Sequence, residues 1–532
     1  MTVARHKQHT YNVLPFILFV IALLFLVALL FTIKTDVFFS GDAGLKYLMI
    51  RQISEGGRYD ALNLQSPGWV SDIWSNGYYP FKIPFIYDEP AGKIVSFPPA
   101  FQWLNANLYK WFGYKGIYII PCASVIGLWI WLIAVLKRAG VKPLMISLGF
   151  FLLAFGSPLT IYGAVYWEHS FAVLLIFSAV VYLVTPPATY YGTMLLGALS
   201  GAAVWFRPEM LLLCLLFIVM VLYNYFKNKD KGHVVFVFSA LAGIATFFLF
   251  NIIVYGNSLG AHSYQLAKGS ESTTYLQEKL IILTHINARI IIYFPVFILI
   301  YVFAIFTIIS KPIRFKAKGA STGNANLIRF DGKRLPSPII NQLTVIAILF
   351  SLFTPFVLPN AGGKQWGPRY FLPLVPIVIT TLCLATSNLK TTKPLSRKWL
   401  TLIVPVIFYV VYLNVYKAHK NLHYDYAYRV KPGLHFLEKN TCDILVVQNQ
   451  YIAQEIAALF EKKKIFLAEN QDSFNRLCKL LQAAGVSRII YMASDSKNRM
   501  LANTLMNGSG DLVQVGNYYF AEYNFRIELD KH

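Results

Sequence analysis

Residues 13–33 read VLPFILFVIALLFLVALLFTI, and soon after them comes Ser40-Gly41-Asp42-Ala43-Gly44-Leu45-Lys46-Tyr47. The first stretch meets the requirement for crossing a hydrocarbon core of ~30 Å, about 20 apolar residues. It is too long for the apolar region of a cleaved leader, and no small-residue cleavage site precedes Lys34. The second stretch sets a carboxylate just past the end of a membrane helix, between glycines and beside Lys46 and Tyr47. Such a group is poorly suited to lipid and well suited to meeting a substrate at the membrane surface. By position alone it could equally be a solvated loop acid.

Working outward, the chain of 532 residues is 56% hydrophobic with a mean hydropathy of +0.51, too apolar for a water-soluble fold of this length. The apolar residues fall in about eleven blocks of spanning character: 13–33, 116–136, 143–160, 169–185, 190–206, 208–226, 233–254, 289–310, 339–358, 370–387 and 399–416. The fold class that follows is a mostly α membrane protein, a bundle of about eleven transmembrane helices with a long first outer loop at 34–115. A membrane domain covers 1–417, and a small extracytoplasmic α/β domain covers 418–532.

The net charge of +23 is a topology signal and no indication of nucleic acid. Arg5 and Lys7 precede the first span. Lys137, Arg138 and Lys142, then Lys227, Lys229 and Lys231, then the basic loop 311–338 with Lys311, Arg314, Lys316, Lys318, Arg329, Lys333 and Arg334, and finally Lys390, Lys393, Arg397 and Lys398 all fall on the N-terminal side. The positive-inside rule makes that side cytoplasmic, and an odd span count puts the C-terminus outside. The loop 311–338 is rich in Gly, Ser and Asn and reads as flexible. The spans show no inverted repeat, which counts against a secondary transporter.

The first outer loop is dense in aromatics and prolines, among them Trp69, Trp74, Tyr78, Tyr79 and Trp103, and reads as short helices in the headgroup layer. In the C-terminal region, strands are predicted at 444–447, 465–467 and 488–492, with helices at 451–462 and 472–484, the second closed by Gly485. A strand pair is predicted around Tyr518–Phe525. This alternation predicts a partly parallel sheet. Cys122, Cys214 and Cys383 lie in spans as packing residues; Cys442 and Cys478 could pair if the compartment is oxidising.

With this topology the unusual polar residues collect on the outer face. They are Asp42, Lys46 and Tyr47; Glu168 and His169; Arg207 and Glu209; Asn257 and His262; and Lys364, Trp366, Arg369 and Tyr370. Ionisable groups at membrane depth cost at least ~2.5 kcal/mol each and usually line a cavity or pathway. Each also has an ordinary reading: Arg207 and Glu209 as a pair, His169 as a satisfied interfacial imidazole, Lys364 and Arg369 as snorkelling cations. Together they suit a phosphate-bearing lipid meeting an acceptor. Arg207, Lys364 and Arg369 are donor-phosphate binders, helped by the Gly362 and Gly363 amides. Asp42 is a base for an acceptor hydroxyl or amine, with Lys46, Tyr47, Glu168, His169, Glu209, His262, Trp366 and Tyr370 positioning substrate.

These segments resemble the GT-C superfamily of polytopic glycosyltransferases that use polyprenyl-phosphate sugars. Within it they are most similar to bacterial dolichyl-phosphate-mannose-protein mannosyltransferase and aminoarabinose-transferase-like proteins. The resemblance rests on Gly41–Tyr47, on Ser96-Phe97-Pro98-Pro99-Ala100, on Trp167-Glu168-His169, on Phe206-Arg207-Pro208-Glu209, on Tyr255-Gly256-Asn257-Ser258-Leu259-Gly260 and on Trp366-Gly367-Pro368-Arg369-Tyr370, in that order. It implies transfer of a sugar from a polyprenyl-phosphate donor to an extracytoplasmic lipid, glycan or protein in a bacterial inner membrane, with Asp42 activating the acceptor. Many members carry two adjacent acids where this chain has Asp42 followed by Ala43, so a divalent metal has no ligand motif here. The alternatives are a transporter or flippase for a lipid-linked or small polar solute, and a non-catalytic assembly subunit.

Overall fold

The computed structural model describes residues 2–90, 92–261, 275–309, 337–358, 362–363, 365–388, 397–494 and 512–525. His262, Lys364 and nearly all of the basic loop 311–338 lie outside the described residues.

Each apolar block carries helix. Five helical segments among the described residues are long and apolar enough to cross a membrane: Val13–Thr32, Ala100–Arg138, Met210–Asn228, Lys231–Tyr255 and Pro338–Val357. The chain is thus an integral membrane protein. Shorter apolar helices at Pro143–Ala154, His169–Val184 and Leu374–Ser387 fill in the bundle, around a buried centre that includes Trp129, Phe150 and Phe177. The block at 289–310 is not one straight helix. It belongs to a helix Tyr275–Tyr293 and a second segment Pro295–Ile305, bent by 112°. Phe294 takes φ −148° and ψ 67° at the break, because the ring of Pro295 disfavours helical backbone in the residue before it.

The first outer loop departs from the headgroup-layer reading. Gly41–Ser54 is a helix buried from Ala43 through Ile50. Strands β1 (Ile86–Glu89) and β2 (Gly92–Val95) form an antiparallel hairpin. Several of the loop's aromatics pack on the C-terminal region. Trp74 donates its indole N–H to the Ile465 carbonyl at 3.0 Å, Trp69 lies 6.2 Å from the Phe466 ring, and Phe81 stacks on Phe460 at 5.3 Å. Burying these large rings against protein removes more apolar area from water than a headgroup position would. Trp103 and Trp111 stay exposed.

The C-terminal region is α/β, as its alternation predicts. Strands β3 (Ile444–Val447), β4 (Lys464–Leu467), β5 (Arg488–Ala493), β6 (Leu512–Val515) and β7 (Tyr518–Asn524) form one sheet in the order β4-β3-β5-β7-β6. The first three are parallel, and β7 and β6 run antiparallel. The helix read at 451–462 is split into Gln450–Glu455 and a 3-10 turn Ala457–Glu461. Gly485 closes the next helix with φ +78°. Cys442 and Cys478 are both free thiols; the Cys442 thiol contacts the carbonyls of Arg488 at 3.3 Å and Ile444 at 3.4 Å.

The loop and the sheet region meet through the Asp42 helix. A Cβ added at Gly44 would lie 1.8 Å from the Gln454 carbonyl oxygen, and one at Gly41 2.3 Å from Gln454 Oε1. Glycines three apart share a helix face, so this pair lets the helix sit directly against the Gln450–Glu455 turn.

Candidate active site

Asp42 occupies the first turn of its helix, where the unpaired N–H groups favour a negative charge. Lys46 is one turn on, on the same face. The Lys46 ammonium, almost fully buried, pairs with Glu168 at 2.5 Å and lies 4.6 Å over the ring of Phe97, in the Ser96–Ala100 stretch. Glu168 immediately precedes the helix His169–Val184. Its other oxygen accepts from Arg207 at 3.0 Å, and Arg207 also binds Glu209 through its Nε at 2.6 Å and a terminal nitrogen at 2.5 Å. Burial alone would raise the pKa of Glu168, but Lys46 and Arg207 outweigh it and bring it down to about 2.

Arg369 closes the constellation. It opens the 3-10 turn Arg369–Phe371, two residues after Gly367 at φ +69°. One terminal nitrogen reaches the Asp42 carboxylate at 3.4 Å and the other donates to the Tyr370 hydroxyl at 3.2 Å. Its Nε is buried without a hydrogen-bond partner among the described residues. The guanidinium also lies 5.7 Å from the Trp167 ring and 5.1 Å from the Tyr370 ring, and the Arg207 guanidinium lies 5.4 Å from that same Tyr370 ring.

The residues singled out from sequence therefore sort by position. Asp42, Lys46, Glu168, Arg207, Glu209, Arg369 and Tyr370 are joined by contacts. Three cations and three carboxylates balance among them. Arg207 has its guanidinium occupied by two carboxylates, whereas among the described residues Arg369 holds a single long ion pair. His169 is buried beside the rings of Trp167 and Tyr162 at 5.3 and 5.6 Å, and neither ring nitrogen has a hydrogen-bond partner among the described residues. Trp366 is a packing residue: its carbonyl accepts from Tyr162 and its indole N–H reaches Asn414 at 3.4 Å. Tyr47 points elsewhere, bonding the Tyr109 hydroxyl at 3.1 Å. Ser40, not singled out from sequence, accepts from the Trp167 indole at 3.1 Å and ties the start of the Asp42 helix to the Glu168 segment. Gln454 was also missed; its amide is fully buried against Gly41, without a hydrogen-bond partner among the described residues. The only trace of it in the sequence is the Gly41/Gly44 spacing.

No family model matches the chain, and no curated protein matches it. Among solved structures it is similar to ArnT from Cupriavidus metallidurans bound to undecaprenyl phosphate, with 12% identity over 95% of this chain and 97% of that one and a TM-score of 0.52. The apo state of the same protein gives 12% identity over 95% and 97% at a TM-score of 0.49. The Archaeoglobus fulgidus oligosaccharyltransferase in the apo form gives 13% identity over 90% of this chain and 69% of that one at a TM-score of 0.43. The likeness to the first of these, over nearly the whole of both chains, shows that this protein has the GT-C fold.

Proposed function

We propose that this chain is a membrane glycosyltransferase that moves a sugar from a polyprenyl-phosphate donor to an extracytoplasmic acceptor. One observation carries the reading: Asp42 and Arg369, far apart in sequence, meet at 3.4 Å beside a buried set of charges, in a fold whose ArnT representative binds undecaprenyl phosphate. In this reading about eleven helices cross a bacterial inner membrane, the N-terminus is cytoplasmic, and residues 418–532 lie outside with the site.

Arg369 takes the donor phosphate, and Lys364 and the Gly362 and Gly363 amides, a few residues before it in sequence, are its partners in this role. Its free Nε and planar fork suit a phosphate. Arg207, held by Glu168 and Glu209, adds positive charge near the leaving group without needing to move. As Arg369 turns to the phosphate, its long contact with Asp42 weakens. Releasing that contact leaves the Asp42 carboxylate open to an acceptor hydroxyl or amine. The acceptor oxygen or nitrogen then attacks the anomeric carbon, the bond from that carbon to the phosphate oxygen breaks, and the polyprenyl phosphate leaves with the electron pair. The acceptor proton goes to Asp42. One displacement inverts the sugar and needs no covalent enzyme intermediate.

The test is reconstitution of the full chain in proteoliposomes with a radiolabelled undecaprenyl-phosphate sugar and an envelope-glycan extract. The expected result is label in a glycan or lipid acceptor together with free undecaprenyl phosphate, both lost in Asp42→Asn. Movement of intact donor between leaflets without transfer would support the flippase reading instead.

A further inference from the structure

The far end of the Asp42 helix lies at a cleft. Ten residues on from Asp42, about 15 Å at the rise of an α-helix, its C-terminal turn borders a cleft of about 700 Å³ between the first outer loop and strand β4. That volume lies within the range of ligand sites. None of the charged residues discussed above lines it.

The cleft has a built wall. Gln52 donates through Nε2 to the carbonyls of Arg58 at 2.6 Å and Ala61 at 2.7 Å, and its Oε1 accepts the Asn63 backbone N–H at 2.7 Å. One side chain thus satisfies the turning backbone and leaves the Asn63 and Gln65 amides as lining groups. Across the seam, Arg51 pairs with Glu461. Lys463 is drawn into the sheet region by the carbonyls of Cys442 at 2.7 Å and Asn440 at 3.0 Å. Arg58 is held by Asp60, and Lys464, at the start of β4, has no side-chain partner among the described residues. Four cations line the cleft against two carboxylates, Glu55 and Glu461. Side-chain amides both donate and accept, which matches a ligand rich in hydroxyls, and the cationic excess favours a negatively charged one.

We propose that this cleft docks the acidic saccharide body of an elongated acceptor, whose reactive end extends to Asp42, about 15 Å away by the rise of the helix. The proposal rests on the transferase reading for the identity of the ligand as acceptor, while binding itself can be measured without transfer.

The test uses the full chain in detergent micelles and a fluorescent tetragalacturonate, with maltotetraose as the neutral counterpart. The expected result is binding of the charged tetramer at least tenfold tighter than the neutral one. Lys464→Glu and, separately, Gln65→Glu should each weaken it about tenfold, with melting temperatures unchanged. Equal binding of both tetramers, or variants that bind like the parent, would overturn the proposal. Displacement of the probe by phosphatidylglycerol vesicles but not by excess soluble tetragalacturonate would also overturn it, making the ligand a lipid headgroup. Asp42→Asn should keep full tetragalacturonate binding. Binding without any sugar transfer by the parent chain would therefore count against the transferase reading and leave the cleft standing.

Discussion

The guanidinium of Arg369 meets the carboxylate of Asp42 at 3.4 Å, a contact between positions 327 residues apart. The distance is long for a charge-assisted hydrogen bond, which prefers about 2.7–2.9 Å, so each partner keeps capacity for a substrate. Asp42→Asn keeps the shape and removes the proton acceptor. Transfer should fall by about 10²–10⁴-fold in kcat, the usual contribution of a general base, with donor KM little changed. Arg369→Lys keeps the charge and loses the fork, so donor KM should rise while residual kcat persists. Steady-state kinetics against the polyprenyl-phosphate sugar separate the two; a matching fall in kcat alone for both variants would remove Arg369 from donor binding.

Glu168 is the hub of the buried charges, taking Lys46 at 2.5 Å and Arg207 at 3.0 Å. Removing one member of a buried ion pair strands its partner and typically costs about 3–5 kcal/mol. Glu168→Ala strands Lys46 and leaves Arg207 with Glu209 alone, and should unfold in detergent at a much lower temperature, whereas Glu55→Ala, at an exposed carboxylate paired with Arg51, should cost less than about 1 kcal/mol. Lys46→Met combined with Glu168→Leu should recover part of the loss, since apolar replacement of a whole buried pair is often neutral. Fluorescence-monitored melting of the three proteins checks the order.

The same carboxylate predicts a response to acid. Its pKa is about 2 in the fold against 4.5 as the ordinary value. A depressed carboxyl adds stability that is complete above the unfolded pKa and is lost as pH falls toward the folded one. Melting temperature should therefore decline from about pH 5 toward pH 2. Glu168→Gln, with no carboxyl to titrate, should start lower and show a shallower decline across the same window.

The sequence carried the local structure well and the long-range pairing poorly. Apolar blocks revealed the membrane helices, and strand-helix alternation revealed the sheet region with strands within a few residues of their places. Asp42 and Arg369 stood out because charge is rare beside such blocks. The Arg207–Glu209 pair was legible and forms, but which distant charges touch was not, since Lys46 and Glu168 are separated by 122 residues and no periodicity links them. Neighbourhood also did not show where the Tyr47 hydroxyl goes. Sequence proximity groups it with Asp42 and Lys46, but the next position on a helix turns about 100°, and its hydroxyl goes to Tyr109. The loop aromatics read as short helices in the headgroup layer because composition does not say whether a ring meets headgroups or another part of the chain.

The glycines around Asp42 supply the last prediction. The group facing Gly41 is the flexible end of Gln454, whereas the group facing Gly44 is the Gln454 backbone carbonyl at 1.8 Å from the added Cβ. A side-chain end can swing away; a carbonyl in a packed helix moves only with its backbone. Gly44→Ala should therefore push the Asp42 helix off the sheet region, costing about 1–3 kcal/mol by overpacking and lowering transfer through displacement of Asp42. Gly41→Ala should be milder. Gln454→Ala should relieve Gly41→Ala, because it removes the clashing amide, and should leave Gly44→Ala uncorrected, because the carbonyl remains. Melting temperature and kcat of the two double variants decide the point. Equal rescue of both would mean that the side chain, and not the backbone, limits how closely the helix carrying the base can approach.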